Sequence, residues 1–247
     1  MSTDFSFSKE KLEKFLKELG KEFRNLYGKQ ADAEIILIGG ASVAINYNFR
    51  DMTTDADALI KANAAIKDAI NRVGDKNNLP HGWMNDSFKN TPSYTDKLRS
   101  VSVHHRKYYG VLEIRTIKDK YLIAMKAMSG RQYKFDLSDI VGILSEHNSI
   151  GNPISRESIN NAIIELYGHK PLPETSLQFL DDVFSHGDYE RLYLELRKIE
   201  NENKELLLDF DLEYPNVIDE NNKNDIIEKA RRKKEPSNEQ SLPANRV

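Results

Sequence analysis

The stretch IILIGGASVAINYNFRDMTTDADALI, residues Ile35 to Ile60, decides the fold. Ile35 to Ile38 is an unbroken apolar run, as a buried strand requires. It ends in Gly39-Gly40. Ala41 to Tyr47 reads as a short helix, and Asp55 to Ile60 as a second strand. Glycines let backbone approach a ligand closely, and a helix start just after them offers N–H groups to phosphate. Residues two apart on a strand point to the same side. Asp55 and Asp57 therefore aim two carboxylates at one point, the hard oxygen donors that Mg²⁺ takes beside a triphosphate. Taken together, these features point to nucleotide chemistry.

Outside this stretch the composition excludes several classes. The chain has 247 residues, enough for one sizeable domain with an appended helical part. Its 36 basic and 39 acidic residues give a formal charge of −3, so no global polyanion-binding signature exists. With no cysteine, neither a disulfide nor a thiolate metal site can form. The N-terminus is charged and amphipathic, without a signal-type apolar region, and no run is long enough to span a bilayer. The expectation is a cytoplasmic protein with no membrane contact.

Helical spacing of Phe15, Leu16, Leu19, Phe23 and Leu26 predicts a helix from Ser8, its N-cap, to Tyr27. A further helix is expected over Ala64 to Val73. Asn77 to Thr95, rich in Asn, Pro, Gly, Ser and Thr, reads as a long loop. Leu98 to His105 and Val111 to Ile117 read as strands. Helices are then expected over Asp119–Ser129, Asp136–Glu146, Arg156–Tyr167, Ser176–Phe184 and Tyr189–Leu208. The resulting division is an α/β core over 1–118, a helical part over 119–210 and a polar, partly disordered tail over 211–247.

Each candidate residue also has a plainer reading. Arg50, Thr53 and Thr54 precede the carboxylates and can meet phosphate oxygens, or simply line a surface loop. Glu113 in VLEIRTI faces the same side as Arg115. It is either a third carboxylate or the partner of Arg115 on a wet face. Asp86, beside the only tryptophan, is the rival third acid. Lys126 lies within the apolar helix YLIAMKAMSGR, either snorkelling or holding phosphate as a point charge. Arg131 follows near the helix end. Asp136 and Asp139 open the next helix, as caps or as acids that orient Lys126 or activate a hydroxyl. His104 to Tyr109 mixes basic and aromatic residues, as nucleic-acid contacts or as a solvated strand end. The run Lys229 to Lys234 reads as a solvated tail with weak RNA attraction.

The order GG, R-x-x-T-x-D-x-D, WMND and YLIAMKAMSGRQYKFDLSDI resembles the nucleotidyltransferase-fold proteins of the AbiEii-like toxin group, found in toxin–antitoxin and phage-defence loci. The likeness covers about Glu34 to Leu166. It implies an α+β, polymerase-β-like fold: a small mixed sheet flanked by helices, with a helical C-terminal part. It implies Mg²⁺ or Mn²⁺ on Asp55 and Asp57, and nucleotide binding by Gly39, Gly40, Ser42, Arg50, Thr53, Lys126 and Arg131. Either Asp136 or Asp139 matches the late acid of the group. The second glycine is often serine elsewhere in the superfamily. The implied reaction moves a nucleoside monophosphate (NMP) from a nucleoside triphosphate (NTP) to an acceptor hydroxyl, a tRNA 3′ end or a protein side chain. A cognate antitoxin is the implied partner. The competing expectation is an NTP-binding module without catalysis.

Overall fold

A computed structural model describes residues 6–50, 52–53, 56–61, 64–219 and 222–234. Asp55, Thr54 and the C-terminal end of the expected tail lie outside these residues. Strand β1 (Phe7–Ser8) leads into helix α1 (Lys9–Tyr27). Ser8 caps α1, its hydroxyl oxygen accepting from the Lys11 N–H at 3.3 Å. Next come β2 (Ala33–Leu37), α2 (Gly39–Asn46), β3 (Met52–Thr53), β4 (Ala56–Lys61), α3 (Ala64–Asn77) and β5 (Met84–Asn85). Helix α4 (Leu98–Val101) precedes β6 (Val103–Tyr108) and β7 (Leu112–Thr116). Helices complete the described chain: α5 (Asp119–Ser129), α6 (Asp136–Ser149), α7 (Arg156–Tyr167), α8 (Glu174–His186), α9 (Tyr189–Glu213) and α10 (Lys223–Lys234).

The main sheet has the order β5-β4-β2-β7-β6. β2 runs parallel to β7 and antiparallel to β4, so the sheet is mixed. The apolar run explains its centre. Ile35 and Leu37 face a core shared with α1 and α3, while Ile36 and Ile38 face a second core shared with α5, α6 and α7. A side chain of this kind contributes about 1.5–3 kcal/mol when fully buried. The α+β architecture expected from the sequence is the one these residues form. No helix among the described residues is long and apolar enough to cross a membrane.

Three local expectations need correction. Residues 98–101 form a helical turn, not the start of a strand. The hydroxyls of Ser100 and Ser102 donate back to the Lys97 and Arg99 carbonyls at 2.7 and 2.8 Å, which favours the turn over extended pairing. The expected loop over Asn77 to Thr95 contains β5, which pairs parallel to β4 with Asn85 opposite Asp57. It also contains a short 3₁₀ turn over Ser87–Asn90. Finally, the basic run belongs to α10. Ile227 is 1 % exposed and packs with Tyr133 and Leu207, so this helix docks on the body.

Candidate active site

β2 delivers the chain to Gly39, which opens α2 in the left-handed region at φ +53°. Beside it, the Ile38 N–H donates to the Asp57 carbonyl at 3.0 Å. This fixes Asp57 so that its carboxylate would lie 3.8 Å from a Cβ at Gly39. Gly40 is bare for a different reason. A Cβ there would stand 2.6 Å from the Thr53 hydroxyl and 2.8 Å from the Arg50 guanidinium. Arg50 and Thr53 occupy the space a serine would need. A cavity of about 780 Å³ opens here, and Gly40, Arg50, Thr53, Asp57, Arg131 and Asp136 all line it.

Behind the cavity wall runs a chain of ion pairs. Arg50 bonds Asp139, Lys126 Nζ lies 2.7 Å from Asp139 and 2.8 Å from Asp136, and Arg131 Nε lies 2.8 Å from Asp136. Three cations thus alternate with two carboxylates. Burial alone would raise the Asp136 pKa. Lys126 and Arg131 outweigh it and hold this carboxyl well below the usual carboxylate range. Burial works against the charge of Arg131, but Asp136, with a smaller contribution from Asp57, keeps it firmly protonated. So low a pKa makes Asp136 a weak base. Its geometry is that of an orienter for Lys126 and Arg131.

Several residues grouped from the sequence stand apart from the cavity. Lys126 is 4 % exposed and lies within the ion-pair chain, not on the lining. Ser42 is fully buried, and its hydroxyl both donates to the Ile117 carbonyl and accepts from the Ile117 N–H. It clamps α2 to the β7–α5 junction. Glu113 sits opposite Glu34, at the far end of β2 from Gly39, and bonds His104 at 2.5 Å. That register removes it from the Asp57 site. Asp86 pairs with Lys89 at 2.9 Å and is not on the lining. Among the described residues no group of three His, Asp or Glu is placed to hold a metal.

The opposite wall comes from α9 and α10, where the sequence marked a helix and a basic run but no nucleotide-binding residue. Arg197, Asn201, Lys204, Leu207, Leu208 and Asp211 follow one face of α9 into the cavity. Arg197 stacks 3.8 Å from the Phe135 ring, whose other neighbour is Arg50 at 5.7 Å. Glu200 holds α9 in place by accepting from the Leu137 N–H at 2.9 Å and the Ser138 N–H at 3.4 Å, at the N-terminus of α6. Asn203 adds a bond to the Gln132 carbonyl at 2.8 Å. With Lys134 and Lys223, six basic and three acidic side chains among the described residues line the cavity. This local excess of positive charge sits in a chain of formal charge −3.

Glu200 also carries a pH prediction. Burial, with Asp139 and Asp136 nearby, pushes its pKa from 4.5 up to about 7. Its Oε2 is buried with no hydrogen-bond partner, so nothing solvates a negative charge there. A raised carboxyl pKa means that the folded state holds the proton more tightly. The associated stability is complete below pH 4.5 and is lost as pH rises through about 7. Glu200→Gln keeps the acceptor oxygen and has no such proton. Thermal melts should show the wild type losing about 1–3 kcal/mol relative to the variant between pH 5 and pH 8. Parallel pH profiles would show that Glu200 does not titrate there.

Residues 14–162 match a family model described as a nucleotidyltransferase of unknown function (DUF6036). No curated protein and no solved structure gives a match. The matched stretch contains Gly40, Arg50, Asp57, Arg131 and Asp136, and it ends within α7, before α9 and α10.

Proposed function

The chain belongs to the family of nucleotidyltransferases of unknown function (DUF6036), and we propose that it transfers NMP from an NTP to the 3′ hydroxyl of an RNA, with tRNA as the acceptor. The acceptor oxygen bonds to the α-phosphorus, the bond to the bridging oxygen breaks, pyrophosphate leaves and the hydroxyl proton goes to solvent. One observation carries the reading: a single basic cavity joins Gly40, Arg50, Thr53, Asp57 and Arg131. Arg50 and Arg131 are held by buried carboxylates and present preorganised charge to phosphate oxygens.

The donor chemistry fits Mg²⁺. The Asp57 carboxylate is a hard oxygen ligand on the cavity wall, and Asp55 stands two positions before it in the sequence. Mg²⁺ binds through one or two carboxylates with substrate phosphates and water, so a three-acid cluster is not required. When bound, the ion supplies charge to polarise the α-phosphate and offset the leaving oxygens.

The acceptor and the biological setting rest on the motif order, which resembles the AbiEii-like toxins. In this reading the protein is a cytoplasmic toxin of a toxin–antitoxin or phage-defence pair, and a cognate antitoxin is its protein partner. One rival is an NTP-binding module without transfer, because neither Glu113 nor Asp86, the two candidates for a third acid, lines the Asp57 cavity. One incubation decides: purified protein, Mg²⁺, each of four labelled NTPs and total tRNA, resolved on a gel. Label in tRNA is the expected result. Label in protein instead would make the chain an NMP transferase acting on protein. Bound NTP with no label transferred would leave the binding module.

A further inference from the structure

The cavity changes character along α9. Arg197, Asn201 and Lys204 come first, then Leu207 and Leu208, then Asp211. At 1.5 Å per residue the series spans about 21 Å, and the last two turns from Lys204 to Asp211 about 10 Å. The basic part begins beside Arg50, since Arg197 and Arg50 both lie against the Phe135 ring. The far part is built differently. Leu207 packs with Tyr133, Ile218 and Ile227 in a small separate core, and Leu208, which is 55 % exposed, stands beside it on the cavity wall. The Lys223 ammonium lies 5.0 Å from the Tyr133 ring and covers one of its faces. Beside Tyr133, this end offers a ligand the aliphatic surface of Leu208 and Ile218, with the Asp211 carboxylate on the same lining.

We propose that this far part, contributed by α9 and by Ile218, is a nucleobase seat that selects bases bearing an exocyclic amino group. The proposal rests on the cavity being an NTP site. Arg50 and Arg131 at the Gly40 end take the phosphates, and the base then falls towards Leu208, where Asp211 and Lys223 roughly offset one another. The aliphatic wall takes the flat face of the base. The Asp211 carboxylate only accepts hydrogen bonds. Adenine, cytosine and guanine can donate to it from their amino groups. Uracil presents a single N–H flanked by two carbonyl oxygens, which the carboxylate repels. Hydrogen bonds to a charged group are strong enough for discrimination of about tenfold.

Calorimetric titration of the full chain tests this, with ATP, GTP, CTP, UTP and inorganic tripolyphosphate in Mg²⁺ buffer. UTP should bind about tenfold more weakly than the amino-bearing NTPs. Leu208→Ala changes an exposed side chain and leaves the fold in place. It should weaken the NTPs severalfold and leave tripolyphosphate unchanged. Asp211→Asn should narrow the gap between UTP and the others. UTP binding as tightly as the rest would overturn the proposal. So would a Leu208→Ala loss shared equally by tripolyphosphate, or no loss at all. If tripolyphosphate binds and NTPs bind no tighter, the seat fails while the phosphate site stands. If nothing binds, the NTP reading fails and takes the seat with it.

Discussion

Lys126→Met will lower the urea midpoint sharply, corresponding to about 3 kcal/mol of lost stability. The methionine keeps the apolar stem among Leu122, Ile123 and Met125 but leaves Asp136 and Asp139 with one cation each. Both residues are 1 % exposed, and Asp139 Oδ1 already accepts no hydrogen bond. Such groups cannot recover hydration when a partner is removed, so the loss is large. A lysine that reached into the cavity to hold phosphate would behave in the opposite way. Its removal would weaken NTP binding and leave the midpoint where it was. Equilibrium unfolding and nucleotide titration on the same variant separate the two. An unchanged midpoint with lost affinity would mean that Lys126 leaves its ion pairs to meet the ligand.

The same residue shows where sequence reading succeeds and where it stops. A lysine amid apolar neighbours announces that something holds its charge, and Asp136 and Asp139 were near enough in sequence to be considered. The glycine turn, Arg50, Asp57 and Arg131 were also legible, because a strand end, a tight turn and a helix end are local features with local signals. What was not legible depends on register and on distant packing. Glu113 and Arg115 do share a face, but only the pairing of Glu34 with Glu113 tells which end of the sheet they occupy. Ser42 looked like a ligand group because its burial against Ile117 is a long-range fact. α9 was expected as a helix, but nothing in its sequence singled out Arg197, Asn201 or Lys204; Glu200, capping a helix 62 positions away, and Asn203, bonded to the Gln132 carbonyl, turn that face inward. Two adjacent isoleucines, Ile226 and Ile227, are too few to make a helical period, so α10 passed for tail.

Asp57→Asn is expected to cut nucleotide transfer about a hundredfold or more while the melting temperature stays within error. The amide is the same size as the carboxylate. The backbone bond from Ile38 to the Asp57 carbonyl is untouched, so the strand end keeps its shape. The change removes negative charge and a hard oxygen donor on the cavity wall. It leaves Arg131 its 2.8 Å partner in Asp136. Asp136→Asn makes the contrasting case. It strips a buried partner from both Lys126 and Arg131, so its loss should appear first as stability, with activity falling alongside. Asp57, Asp136 and Asp139 look alike as acids near one motif set. Rate measured against melting temperature separates the acid that acts on the ligand from those that hold its cations in place. Full transfer by Asp57→Asn, with Mg²⁺ present, would remove this carboxylate from the chemistry.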